Sequence, residues 1–332
     1  MIGIFKQKTP ANIILLLVFG ALLKLPMFLH PYVPADTGDE GVFFSGILGF
    51  LEKPGKSSPV IYPLLAFLLL FQQSVMLTRF VNNHRMMSRP NYYPGMAYML
   101  ITSLFAEWNY FSAPLFINTI LLYILAVLFR IYNQEKASGA IYNIGLALGI
   151  GSFIFFPSIT FIFWALMALM VMRPFRVNEW VIGLLGLTTP YYFYAIYLVI
   201  SDQWSWSAIW PGFGVAFPRV MQSAWLAGSV FLLIVPFLAG GYHVQNNLRR
   251  MLIHVRKGWS ILLLYTLGAV FIPFVNYSDT FENWVMAAIP FAAFHAAMYM
   301  YSGFRVFPLL IFWLSVAFIL GYQYFGPGWP GI

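Results

Sequence analysis

Apolar runs of about 20 residues recur along the chain, separated by polar breaks of only a few positions, which is the pattern of consecutive membrane-crossing helices. Eleven runs are read, at roughly 11–29, 58–78, 91–106, 113–131, 138–156, 158–173, 180–200, 224–242, 259–275, 284–302 and 306–325. No break is long enough for a separate soluble domain. Residues 1–332 therefore read as one all-α, polytopic membrane domain. Between the first two runs, Thr37 and Glu40 have the spacing of a capping box, which predicts a helix from near Gly38. Phe43, Ile47 and Phe50, and beside them Phe44, Leu48 and Leu51, recur at helical spacing and stop at "EKPGK". At about 14 residues this helix is too short to span, so it is expected to lie along the outer interface.

Composition agrees: 61% of residues are hydrophobic and 8% are charged, against an apolar share of about half in soluble domains. The absence of cysteine excludes disulfides, thiolate nucleophiles and cysteine-ligated metals. A basic start (Lys6, Lys8) precedes the first run, and "LPMFLHP" after it offers no small-residue cleavage site, so the first run is expected to remain as an uncleaved span.

Charge orients the chain. With a cytoplasmic N-terminus, 14 of the 18 Lys and Arg fall on the cytoplasmic side and eight of the ten acids on the other. That bias implies a multi-pass membrane protein with its C-terminus on the side opposite the cytoplasm. The net charge of +8 belongs to this bias and to anionic lipid head groups around loops such as "RRMLIHVRK", not to nucleic acid. Insertion does not explain the acids, because Asp and Glu contribute little to orientation. Asp36, Asp39 and Glu40 are the densest group. Capping accounts for Glu40 and leaves Asp36 and Asp39 open to a role in a site, where close carboxylates raise one another's pKa while a helix N-terminus lowers it.

A first span, an outer loop with "DE" leading into a juxtamembrane helix, and a second span resemble the start of the polyprenyl-phosphate-dependent glycosyltransferases of the GT-C superfamily. "SLFAEWNYFSAPLFINTILLYILAVLFRIYN" is similar to that superfamily's third and fourth spans, and "GAIYNIGLALGIGSFIFFPSITFIFWALMALMVMRPFR" to its Gly-rich hairpin. The likeness covers about residues 11–200, the first seven spans, with further C-terminal spans at about 224–325. "PNYYPGMAYMLITSLF", "RPFRVNEW" and "FKQKTP" also resemble a family of bacterial inner-membrane proteins that brings no established function. The superfamily likeness implies chemistry on a lipid-linked sugar at the outer face. Asp39, or Glu40 or Asp36 in its place, would accept the proton of an attacking hydroxyl, and Glu107 would orient that base or hold a divalent cation. Arg219 would meet the donor phosphate, with Lys53 and Lys56 behind it. The tail "GPGWPGI" departs from members that carry a soluble acceptor domain.

Other features have two readings each. Trp204, Trp206 and Trp210 could stack on a glycan or form an interfacial belt. His295, inside the tenth run, is a candidate substrate contact or a side chain bonded across helices. An iron-dependent carotenoid dioxygenase is excluded because the five histidines are divided between both sides and the membrane interior. Gly145, Gly149, Gly151 and Pro157 could interrupt helices as in transporters. The shortage of polar loops also suits a non-catalytic subunit bound to other membrane proteins.

Overall fold

The computed structural model describes residues 2–7, 9–34, 40–209, 223–275, 281–304 and 306–326. Fourteen α-helices follow one another among them, with short 3-10 turns between and no strand. They are α1 (Ala11–Leu23), α2 (Leu25–Leu29), α3 (Val42–Ser57), α4 (Ile61–Asn83), α5 (Tyr93–Thr102), α6 (Ala113–Arg130) and α7 (Ser138–Ser152). Then come α8 (Phe161–Met172), α9 (Val177–Ile200), α10 (Trp206–Ile209), α11 (Ala224–Asn247), α12 (Ile253–Val275), α13 (Ala288–Tyr301) and α14 (Val306–Phe325). Each of the eleven apolar runs contains a helix. Among the described residues, seven stretches are long and apolar enough to cross a membrane: those of α4, α6, α9, α11, α12 and α14, and Glu282–Tyr301 around α13. The others are shorter because turns interrupt them, as at Lys24 in the first run and after Thr102 in the third.

Loops meet their neighbours at two opposite ends. At one, His254 approaches the His84 carbonyl at 3.4 Å, Tyr301 accepts the Ser88 N–H at 3.0 Å, and Arg173 reaches the Ile131 carbonyl at 2.9 Å. At the other, Tyr32 stacks on Tyr110, Gln323 donates to the Leu23 carbonyl at 2.6 Å, and Trp225 packs on Tyr322. We refer to these as the basic and the acidic end. α5 is buried at every position and α13 at nearly every one, so these two form the centre. α9, α11 and α14 present apolar side chains outward, among them Phe193, Tyr197, Leu238 and Trp313. An outward apolar surface of that extent is the signature of a lipid-facing protein.

α7 and α9 pack backbone to backbone. A Cβ on Gly145 would stand 2.0 Å from the Gly183 carbonyl oxygen, and one on Gly186 would stand 2.2 Å from that of Tyr142. Small residues at this spacing let transmembrane helices approach closely. Gly145 and Gly149 therefore lie in a continuous helix, and the chain turns only beyond Ser152.

The capping box is corrected. α3 begins at Val42, not near Gly38, and its N-cap Gly41 makes no side-chain capping bond. The Gly41 and Phe43 N–H groups instead donate to the carbonyls of Ile154 and Phe153, at 3.1 and 2.9 Å, in the turn after α7. A Cβ on Gly41 would lie 2.2 Å from the Phe153 oxygen, so only glycine permits this docking. Thr37 lies outside the described residues.

Candidate functional site

The two apolar stripes of α3 do different work. Phe44, Leu48 and Leu51 are buried, with the Phe44 ring 5.5 Å from that of Phe111. Phe43, Ile47 and Phe50 line a groove of about 740 Å³, together with Leu65 and Leu68 of α4 and with Phe111. Phe50 is 83% exposed, so the groove opens sideways from the bundle.

Phe111 also borders a small cleft at the acidic end, lined by His30, Tyr32, Asn109 and Tyr110, whose volume of about 10 Å³ is room for a single water. The Tyr32 and Tyr110 rings stack with centroids 4.0 Å apart. Burial pushes the Tyr32 hydroxyl up from its ordinary value, and the negative charges of Glu282, Glu40 and Glu107 push it further. Tyr110 is raised in the same way, by burial first and then by Glu107, Tyr32, Tyr322 and Glu282. The carboxyl groups of Glu107 and Glu282 thus act on both tyrosines, and that of Glu40 on Tyr32. Ser112 links Glu282 to α6, since its hydroxyl bonds the Glu282 carboxylate and accepts the Leu115 N–H that starts α6.

Glu107 is built into the frame. Its Oε2 accepts the Phe281 N–H, and Nε1 of the adjacent Trp108 donates to the Phe281 carbonyl at 2.7 Å, so one dipeptide grips both polar groups of Phe281. Burial raises the Glu107 carboxyl above its ordinary range, and the Phe281 N–H partly offsets this. Glu107→Gln should keep an acceptor for that N–H while removing the buried charge, so it should fold as well as the native chain or better. Glu107→Ala orphans the N–H and should cost about 1–3 kcal/mol. A raised carboxyl is stabilising while protonated, and that advantage is lost as pH rises from its ordinary value of 4.5 through the raised one. The difference in Tm between Glu107→Gln and the native chain should therefore grow over that interval. A constant difference would remove the charge from the account.

The remaining candidates separate. Glu40 is half-buried immediately before α3, whereas Asp36, Asp39, Trp210 and Arg219 lie outside the described residues. Trp204 and Trp206 are both exposed, with ring centroids 5.5 Å apart, in the segment after α9. His295 is not brought to the cleft: its Nε2 donates to the Leu233 carbonyl at 2.8 Å in the contact between α13 and α11. That carbonyl lies next to Leu232, whose own helical partner is missing because Pro236 has no N–H. Among the described residues no group of three or more His, Asp or Glu is placed to hold a metal ion. The sequence had marked Glu282 only as one acid among eight and had not marked Tyr32 or Tyr110. Compared with family models, with curated proteins and with solved structures, the chain matches none.

Proposed function

We propose that the protein is a membrane-embedded glycosyltransferase of the GT-C kind, acting on a polyprenyl-phosphate-linked sugar at the acidic end. The observation that carries this reading is the shared position of Phe111, which lines both the apolar groove and the small polar cleft. A lipid-linked substrate has this same division, a long apolar chain joined to a polar head. In this reading the chain lies against Phe43, Ile47 and Phe50, and the head group stays outside the bundle, at the mouth of the small cleft beside the exposed Tyr32.

Transfer would break the bond between the anomeric carbon and the phosphate oxygen and form one to an acceptor hydroxyl. The hydroxyl proton would pass to a first-loop carboxylate, Glu40 or the Asp36 and Asp39 of the same segment, and the lipid phosphate would leave. Glu107 and Glu282 would fix the electrostatics around that base. Arg219 and a divalent cation are the counter-charges that the superfamily likeness implies. The charge bias supports a cytoplasmic N-terminus, and the likeness to bacterial inner-membrane proteins implies an inner membrane with a periplasmic acidic end.

Gly46 provides the test. It faces the groove, and a Cβ there would meet nothing within 4 Å. Gly46→Phe should therefore fold normally while filling the groove. The expected result is native abundance and Tm, with loss of co-purifying polyprenyl-linked lipid by native mass spectrometry. Undiminished lipid in that variant, or no such lipid on the native protein, would sink the reading.

A further inference from the structure

α3 borders a second recess on the side away from the groove. Gly46, Ile47 and Phe50 line the groove, whereas Leu48, Glu52 and Lys56, which fall on the opposite face of the helix at about 3.6 residues per turn, line a recess of about 490 Å³. That volume lies within the range of small-molecule sites, about 300–1,000 Å³. The cleft beside Tyr32, by contrast, admits one water. Val33 and Pro34, which follow Tyr32 directly, form part of the recess lining, so it begins where the mouth of that cleft ends.

The floor of the recess is apolar and fixed. Leu48 and Tyr62 are buried, and the Tyr62 hydroxyl donates to the Leu51 carbonyl at 3.3 Å. Gly55 packs on the same ring so closely that a Cβ there would overlap the hydroxyl oxygen. The rim is charged instead: Lys56 bonds Glu52 at 2.6 Å, and both side chains are more than half exposed. An exposed pair of this kind adds little to stability, so both groups are free to turn to a ligand. Their charges cancel, which suits a neutral molecule that donates to Glu52 and accepts from Lys56 better than it suits a phosphate. A saccharide has this chemistry. Hydroxyls around the edge of a sugar ring serve both charges, and the C–H groups of its faces lie against an apolar floor.

We propose that this recess binds the acceptor and that the acceptor is a neutral saccharide, with its hydroxyls on Glu52 and Lys56 and its ring against Leu48 and Tyr62. The acceptor role rests on the glycosyl-transfer reading given above, whereas saccharide binding is measurable apart from any lipid. A donor head group at the mouth beside Tyr32 would stand next to Val33, at the edge of the recess. The two substrates then meet there, while α3 keeps the lipid chain and the saccharide on separate faces.

The full-length protein in nanodiscs is titrated with maltotriose, cellotriose, mannotriose and chitotriose, and with glucose and glucose 6-phosphate. The native chain should bind at least one trisaccharide, and glucose 6-phosphate no more tightly than glucose. Gly49 lines the recess, and a Cβ there would meet nothing within 4 Å, so Gly49→Leu should fold normally while filling the space. Glu52→Ala combined with Lys56→Ala strips the rim without touching the floor. Each variant should weaken the bound trisaccharide by about tenfold or more, the value of a hydrogen bond to a charged group, and leave co-purifying polyprenyl lipid unchanged. Gly46→Phe should do the reverse. A native chain that binds no trisaccharide, or undiminished binding in either folded variant, overturns the recess as a saccharide site and leaves the lipid-linked reading standing. Tighter binding of glucose 6-phosphate than of glucose overturns the neutral class of ligand. Trisaccharide binding through these residues on a native chain that carries no polyprenyl lipid overturns the acceptor role and keeps the saccharide site.

Discussion

Gly145→Leu is expected to abolish folded protein, with no monodisperse peak after detergent extraction. A Cβ at this position meets a backbone oxygen, that of Gly183 at 2.0 Å, and not the end of a flexible side chain. No rotamer change relieves such a contact, so α7 and α9 would have to separate along their length. Gly149 and Gly186 hold the same interface, where a Cβ would stand 2.5 and 2.2 Å from carbonyl oxygens of the opposite helix, and those approaches would open with it. The loss is on the order of 4 kcal/mol or more, the range reserved for disrupted cores. Even Gly145→Ala should lower Tm clearly. Gly139 supplies the control: it lies on the same helix with open space around it, and Gly139→Ala should stay within about 0.5 kcal/mol of the native chain. A native Tm for Gly145→Ala would mean that the two helices do not touch. Because Phe153 and Ile154, just past α7, receive the first N–H groups of α3, loosening the hairpin should also shift the groove wall.

The helices were largely legible because their signal is local. Hydrophobic length marked every apolar run, and the period of 3.6 separated the two stripes of α3, one now buried and one facing the groove. What could not be read locally was set by distant contacts. The start of α3 is capped by carbonyls of the turn after α7, so the Thr37–Glu40 spacing indicated a cap that a remote turn provides. Glu107 and Phe281 lie 174 positions apart, and nothing near either of them announces the pairing. The convergence of Glu282 on Tyr32 and Tyr110 is of the same kind. Lys24 looked like one of four outer basic residues, and only its burial against Thr102 and Asn109 sets it apart.

The segments that carried a family likeness have structural duties at the basic end. In "PNYYPG", Asn91 exchanges two hydrogen bonds with Asn82, at 3.0 and 2.9 Å, and accepts the Tyr93 N–H at the start of α5. In "FKQKTP", Phe5 is buried, and its carbonyl accepts the Tyr92 N–H at 2.8 Å. Such joints fix loops without touching a substrate. They give these segments a packing role at the basic end.

"RPFRVNEW" carries the strongest joint, and Arg173→Met is expected to destabilise the protein by about 3–5 kcal/mol, the cost of orphaning one member of a buried ion pair. Arg173 and Glu179 are 6% and 7% exposed. The guanidinium binds the carboxylate through two bonds, of 3.1 and 2.8 Å, and its Nη1 also donates to the carbonyls of Ile131 and Gln134 at 2.9 and 2.5 Å. One side chain thus joins the end of α8, the start of α9 and the turn after α6. Arg173→Lys should recover little, because an ammonium cannot present that fork to four acceptors. Glu179→Leu combined with Arg173→Met should be less damaging than the sum of the single changes, since the pair then leaves no buried charge behind. Arg176 is the internal comparison. It lies 3.9 Å from the same carboxylate with its side chain 59% exposed, so Arg176→Gln should change Tm by no more than a surface pair does, about 0–1 kcal/mol. Strict additivity of the two buried changes, with Arg176→Gln equally harmful, would show that charge density in this turn matters and the geometry of Arg173 does not.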